Sequence, residues 1–137
     1  DPLIDHCVKQ RHIDAMIYEG IITFAVSVAC EDSKMADIFG YTDDQYEWCE
    51  ANEKKMWDYL AENKQLFSTE RLTISKYIDP APNTAFFPSD SPGRSGWYVG
   101  YKIVSSYMKN NPKASLSALF NDKISSKTLL QMSRYNP

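Results

Sequence analysis

Histidine and cysteine, the residues that most often ligate a transition metal or pair with a nucleophile, are few in this chain of 137 residues. Its two histidines, His6 and His12, stand six apart, which puts them on different faces of one helix, so local spacing does not let them share an ion. No HExxH pair, EF-hand loop or Gly-rich phosphate loop occurs. Both histidines are expected as surface or half-buried polar residues. Cys7, Cys30 and Cys49 are widely spaced and fit no CxxC pattern. They are expected as small buried apolar residues, with one disulfide plus a free thiol as the alternative in an oxidising compartment. No motif supports a Ser-His-Asp or Cys-His site. The reading is no catalytic set, no metal site in this chain alone, and no cofactor.

Two charged residues stand out from that background. Glu19 lies mid-helix in Met16-Ile17-Tyr18-Glu19-Gly20, among apolar neighbours. A carboxylate buried there needs a cation, hydrogen-bond donors or a metal; exposed, it is an ordinary helix residue with at most one ion pair. Arg94 falls in or next to the first turn of a helix, where a cation opposes the helix dipole, so a carboxylate or a ligand is expected beside it.

The helix that Arg94 introduces organises the chain. Trp97, Tyr101, Val104 and Met108 recur at i, i+4, i+7 and i+11, and Val99, Ile103 and Tyr107 form a second stripe. A helix over about 93–109 with so much apolar circumference belongs in the middle of a core, with Trp97, Tyr101 and Val104 largely buried. Gly96 and Gly100 lower its helix propensity by roughly 1 kcal/mol each, and offer a flat patch for another backbone or a ligand.

The remaining elements surround it. Asp1 to Cys30 reads as one long helix, kinked or closely packed at Gly20. A short turn from Met35 to Phe39 stops at Gly40. Thr42 and Gln45 form a capping box for a helix to about Lys64. Ser68 is a candidate cap for a helix from Thr69 to Ile78. Asp79 to Ser91, with Pro80, Pro82 and Pro88, is the one long loop, and Phe86-Phe87 is expected to pin it to the body. Asn110-Asn111-Pro112 ends the central helix; Ser115, then Ser125 or Ser126, cap two short ones. No strand-period alternation appears. The fold expected is all-α: one compact multi-helix domain over 1–137 around the central helix, with no sheet of consequence.

Bulk properties narrow the partners. Hydrophobic content of 43% and charged content of 24% are globular values, which excludes a disordered chain. A net charge of −3 with scattered cations argues against nucleic acid. No apolar run reads as approaching the ~20 residues of a membrane span.

Several segments together resemble the C-terminal part of the gliding-motility lipoproteins of the GldB type. They are Met16 to Gly20, Gly40-Tyr41-Thr42, Gln45 to Glu53, Ala81-Pro82 and Ser91-Pro92-Gly93-Arg94. Gly96, Gly100, Ile103-Val104 and Ser106-Tyr107-Met108 follow, then Ser133-Arg134-Tyr135-Asn136-Pro137, similar to the family's closing Ser-Lys-Tyr-Lys-Pro. The resemblance implies the C-terminal portion of a longer outer-membrane lipoprotein facing the periplasm, whose signal peptide and lipidated cysteine lie upstream. It implies a non-catalytic structural or binding component whose partners are envelope or motility-machinery proteins, touching the membrane only through that anchor.

The family is in turn distantly similar to zinc peptidases in which an HExxH helix is followed by a Glu-Gly helix. On that likeness Glu19 takes the third-ligand place, in a cleft walled by Tyr98 or Tyr101, rimmed by Arg94 and covered on one side by Phe86-Phe87. The alternative function is therefore the C-terminal half of a zincin-like peptidase whose HExxH lies upstream. A third reading is a peptide-binding module with the Asp79–Ser91 loop as its lid.

Overall fold

Helix α1 starts where two other elements meet. In the computed structural model, which describes residues 10–88, 91–121 and 124–137, α1 spans His12–Ala29. The single helix expected from Asp1 to Cys30 is corrected here, because Arg11 is extended (φ −86°, ψ 158°); positions 1–9 lie outside the described residues. The Asp14 carboxylate accepts from the Arg11 N–H, while His12 and Ile13 donate their N–H groups to the carbonyls of Ser68 and Leu66. A helix needs such acceptors for its first-turn donors, and here they come from a distant turn.

Six more helices follow among the described residues: α2 Met35–Phe39, α3 Asp43–Glu62, α4 Arg71–Ile78, α5 Ser95–Asn110, α6 Leu116–Asn121 and α7 Ser126–Ser133. The domain is all-α, as expected. Gly40 ends α2 in the left-handed conformation (φ 72°), letting the Tyr41 N–H reach back to the Ala36 carbonyl. Thr42 and Gln45 cap α3 reciprocally. The Ser68 cap is corrected: Glu70 is the N-cap of α4, and the Ser68 hydroxyl accepts from the Glu70 N–H within the preceding loop. Ser115 and Ser125 cap α6 and α7.

Helix α5 is central and packs against α1, α3, α4 and α7. Its deepest stripe is Val99, Ile103 and Tyr107 with Gly96 and Gly100, joined by Tyr98 and Val104. Trp97, Tyr101 and Met108, expected in the core, are only half-buried and pack on its edge. The order of the two stripes is set by Gly100 with Gly20 of α1, whose missing side chains let α1 close onto that face. A Cβ at Gly100 would fall inside the Met16 carbonyl, and one at Gly20 would lie 2.8 Å from the Tyr101 nitrogen.

That face also explains α1. Its 18 residues have the length and mean hydropathy (1.3) of a membrane-crossing helix, which corrects the reading that no apolar run comes near one. Ile13, Met16, Ile17 and Gly20 are buried in this domain, so α1 serves as a core helix. Tyr18 and Val28, on its other face, are 59% and 55% exposed.

The long loop is ordered over its described residues, as expected. Thr84 is fully buried and closes the neck, its hydroxyl bonded to the Pro92 carbonyl (2.8 Å) and to Ser95 Oγ (2.7 Å). Phe86 stacks on Tyr77, and Phe87 meets Tyr59 edge-on.

Candidate functional site

Of the four residues expected to share a cleft, the structure sets Glu19 apart from Arg94, Tyr98 and Tyr101. Met16 and Gly20 point at α5, and at about 100° per residue Glu19 is turned away toward α4. It lines a cavity of about 280 Å³ with Tyr18, Arg71, Ile74 and Asp79. Partial burial raises its pKa, and neither Arg94, Tyr98 nor Tyr101 lines that cavity. Gly20 and Gly100 do bring α1 and α5 together, but Gly96 faces Tyr77 and Ile78 of α4.

Arg94, Tyr98 and Tyr101 converge instead on Phe39. The Arg94 Nη2 donates to the Phe39 carbonyl at 2.8 Å, and the Phe39 ring packs against Tyr98 (5.9 Å) and edge-on to Tyr101 (5.5 Å). The carboxylate expected beside Arg94 is replaced, in its described contacts, by that carbonyl and two aromatic faces. Its guanidinium lies 5.3 Å from the Tyr41 ring centre and 4.8 Å from that of Trp97. Arg94 is the N-cap of α5 and adopts φ 56°, a left-handed conformation that costs a non-glycine residue about 1 kcal/mol. The preceding Gly93 is pressed onto the Ala81 backbone, and its carbonyl accepts from the Tyr41 hydroxyl at 2.6 Å.

These contacts shape a surface cavity of about 330 Å³ lined by Gly40, Tyr41, Gln45, Pro80, Ala81, Gly93 and Arg94. Sequence reasoning singled out Arg94 but missed Gly40 and Tyr41 as its companions. The signal was present: Gly40-Tyr41-Thr42, Ala81-Pro82 and Ser91 to Arg94 are all resemblance segments, and folding brings them to one place.

A second polar cluster ties the tail to the core. Glu53, its side chain 18% exposed, accepts from the Tyr135 hydroxyl at 3.2 Å and from Tyr98 at 3.5 Å, with Lys102 Nζ at 3.7 Å. Burial, then the Glu53 charge, pushes the Tyr98 and Tyr135 hydroxyls well above the usual phenol range, so both stay protonated donors. Glu53→Gln keeps the shape and removes the charge that strengthens these bonds. It should lower stability by about 1–2 kcal/mol in denaturant unfolding; an unchanged midpoint would show that the cluster does not hold the tail.

The cysteines and histidines divide. Cys49 is buried, its thiol pushed up to about 12 by burial and then by Glu50, but Cys30 is exposed where a buried residue was expected. Cys7 and His6 lie outside the described residues. His12, expected at or near the surface, is fully buried, because the Leu66–Ser68 turn and Tyr77 close over it. Among the described residues no group of three or more His, Cys, Asp or Glu is placed to hold a metal ion. A cavity of about 350 Å³ does lie beside the long loop, between Phe87-Pro88 and Trp48, Asn52 and Met56 of α3.

Fold and site together define an all-helical domain with a cation-bearing junction at the start of its central helix. The chain belongs to the family of the gliding motility protein GldB, which it matches over residues 4–137. That family is one of cell-envelope lipoproteins associated with gliding motility. The likeness to zinc peptidases has no counterpart in this match. No curated protein and no solved structure matches the chain.

Proposed function

We propose that this domain is a non-catalytic docking component of the cell envelope, carried by an outer-membrane lipoprotein, facing the periplasm and engaging proteins of a surface or motility machine through the Arg94 junction. The observation that carries the reading is the convergence of three resemblance segments on one surface cavity. Its polar side chains are a guanidinium, a phenol already donating to Gly93 and a primary amide, Gln45. That set suits hydrogen bonding to a partner's carbonyl or carboxylate. Arg94 is held by a carbonyl and two rings, so little side-chain entropy remains to be lost on docking.

The test is complementation of a deletion strain of the source bacterium with the full lipoprotein carrying Arg94→Gly. Glycine accepts the left-handed backbone and removes the guanidinium. The variant should accumulate in the outer membrane, out of protease reach in intact cells, yet fail to restore gliding or surface assembly. Full function of the variant overturns the docking role. Parent protein in the cytosol or inner membrane overturns the location.

A further inference from the structure

We propose that the cavity between the C-terminal half of α5 and the chain's last residues is an oxyanion site of the phosphate class, held by Lys102, Lys109 and Arg134. Although α5 is mostly buried, Lys102, Ser105, Ser106 and Lys109 recur at i, i+3, i+4 and i+7, a polar stripe on an otherwise apolar helix. The tail returns beside this stripe because α5 side chains bind the end of α7. Ser106 Oγ and Asn110 Nδ2 donate to the Ser133 carbonyl at 2.7 and 2.9 Å, and Asn111 Nδ2 donates to that of Met132 at 3.0 Å. The stripe and the tail flank an open surface cavity of about 310 Å³, lined by all three cationic residues together with Ser105, Ser106 and Tyr135.

The structural role such cations often have, closing the carbonyls at a helix C-terminus, is already filled. Met132 and Ser133 take their hydrogen bonds from the two asparagines and Ser106. Arg134 moreover stands in the left-handed C-cap position of α7 (φ 55°), where glycine is the default and arginine is strained. Three cationic residues therefore line one cavity in a chain whose net charge is −3. Among the described ion pairs one carboxylate approaches, Glu53 at 3.7 Å from Lys102, and it is shared with Tyr98 and Tyr135. The described ion pairs include neither Lys109 nor Arg134.

Mutual repulsion of the cations falls when an anion sits between them. An arginine fork and two lysine point charges are groups that bind phosphate oxygens, while the Ser106 and Tyr135 hydroxyls already donate to the Ser133 carbonyl and to Glu53. The cavity is larger than one phosphate, so part of the molecule bearing it fits as well. Both a soluble phosphate compound and a lipid headgroup carry this chemistry.

The test is an NMR titration of the chain with inorganic phosphate, at ionic strength held constant with sodium chloride. Saturable shifts are expected at the amides of Ser105, Ser106, Lys109, Arg134 and Tyr135. Arg134→Gly suits the left-handed backbone and so keeps the fold, and Lys109→Gln changes an exposed side chain. Each should weaken phosphate binding about tenfold, the loss of one charge-assisted contact. Sedimentation with phosphatidylcholine vesicles, with and without phosphatidylglycerol, separates the sources. Binding that needs both phosphatidylglycerol and Arg134 assigns the lipid headgroup; phosphate binding without vesicle binding assigns a soluble ligand. Absence of saturable shifts, or an Arg134→Gly protein that binds phosphate as tightly as the parent, overturns the site.

Discussion

Replacing Gly100 by alanine should destabilise the domain by about 3 kcal/mol, and replacing it by leucine should leave little folded protein. In isolation the alanine change would help, since glycine is about 1 kcal/mol worse than alanine inside a helix. The tertiary contact reverses the sign. The new Cβ would overlap the Met16 carbonyl, which is backbone and cannot rotate away, so α1 and α5 must separate along their contact. Overpacking of this kind costs about 1–3 kcal/mol or more, and here it works against the largest helix–helix contact of the core. Gly96→Ala supplies the internal scale. Its Cβ would meet the end of the Ile78 side chain at 3.0 Å and the Tyr77 carbonyl at 3.1 Å, a tight fit that a small shift relieves. Denaturant unfolding of the three variants should therefore rank Gly100→Leu below Gly100→Ala, and that below Gly96→Ala. A Gly100→Ala protein as stable as the parent would show that the two backbones are not in contact.

The same glycines show what was legible in the chain and what was not. Features that depend on a few consecutive residues were readable. The Gly40 stop, the Thr42–Gln45 box, the Ser115 cap and the end of α5 at Asn110–Asn111 all follow from local hydrogen bonding. The central place of α5 was readable too, because only a helix with neighbours on several sides needs so much apolar circumference. Which stripe lies deepest was not. Trp97 is larger and more apolar than Gly100, yet the close approach of α1 at the glycines decides the buried face, and glycine carries no hydrophobic signal.

The candidate site failed and succeeded for related reasons. The likeness to zinc peptidases puts Glu19 in one cleft with Arg94, but direction around a helix changes by about 100° per residue, and being next to Gly20 therefore means pointing elsewhere. Arg94 found a carbonyl and two rings, partners that no charge count reveals. The ordered segments shared with the GldB family held information that spacing did not. Gly40 with Tyr41, Ala81 with Pro82, and Gly93 with Arg94 are far apart along the chain, and only folding shows that most of them line one cavity.

Burial of His12 was invisible for the same reason, and it carries the second large prediction. The ring is fully buried against Tyr77 (4.6 Å between centres), with Nδ1 held 3.1 Å from the Gln65 carbonyl; Nε2 has no partner among the described residues. Burial lowers its pKa from 6.5 to about 4, against a smaller opposing effect of the Gln65 carbonyl. The position, first in α1, adds a helix dipole that also disfavours a positive ring. Because the folded pKa lies below the unfolded one, the unfolded chain binds the proton more readily between the two values. Stability is therefore complete above about pH 6.5, falls as the pH drops, and stops falling from this cause below about 4. At 1.36 kcal/mol per pKa unit the loss is about 3 kcal/mol. Two carboxylates complicate the raw profile. Asp14, whose pKa is lowered in the fold as bonds from Ser126 and Arg11 outweigh burial, loses its contribution only at lower pH. Glu19, raised by burial, acts with the opposite sign. The measurement is thus a difference: unfolding free energies of parent and His12→Gln, followed from pH 7 to pH 4. Glutamine is expected to lower stability at pH 7 and to flatten the acid limb, so the gap between the two proteins should close by about 3 kcal/mol over that range. Parallel profiles, or an NMR titration placing the His12 imidazole near 6.5 in the folded protein, would show that the ring is solvated and that α1 does not begin against the Leu66–Ser68 turn.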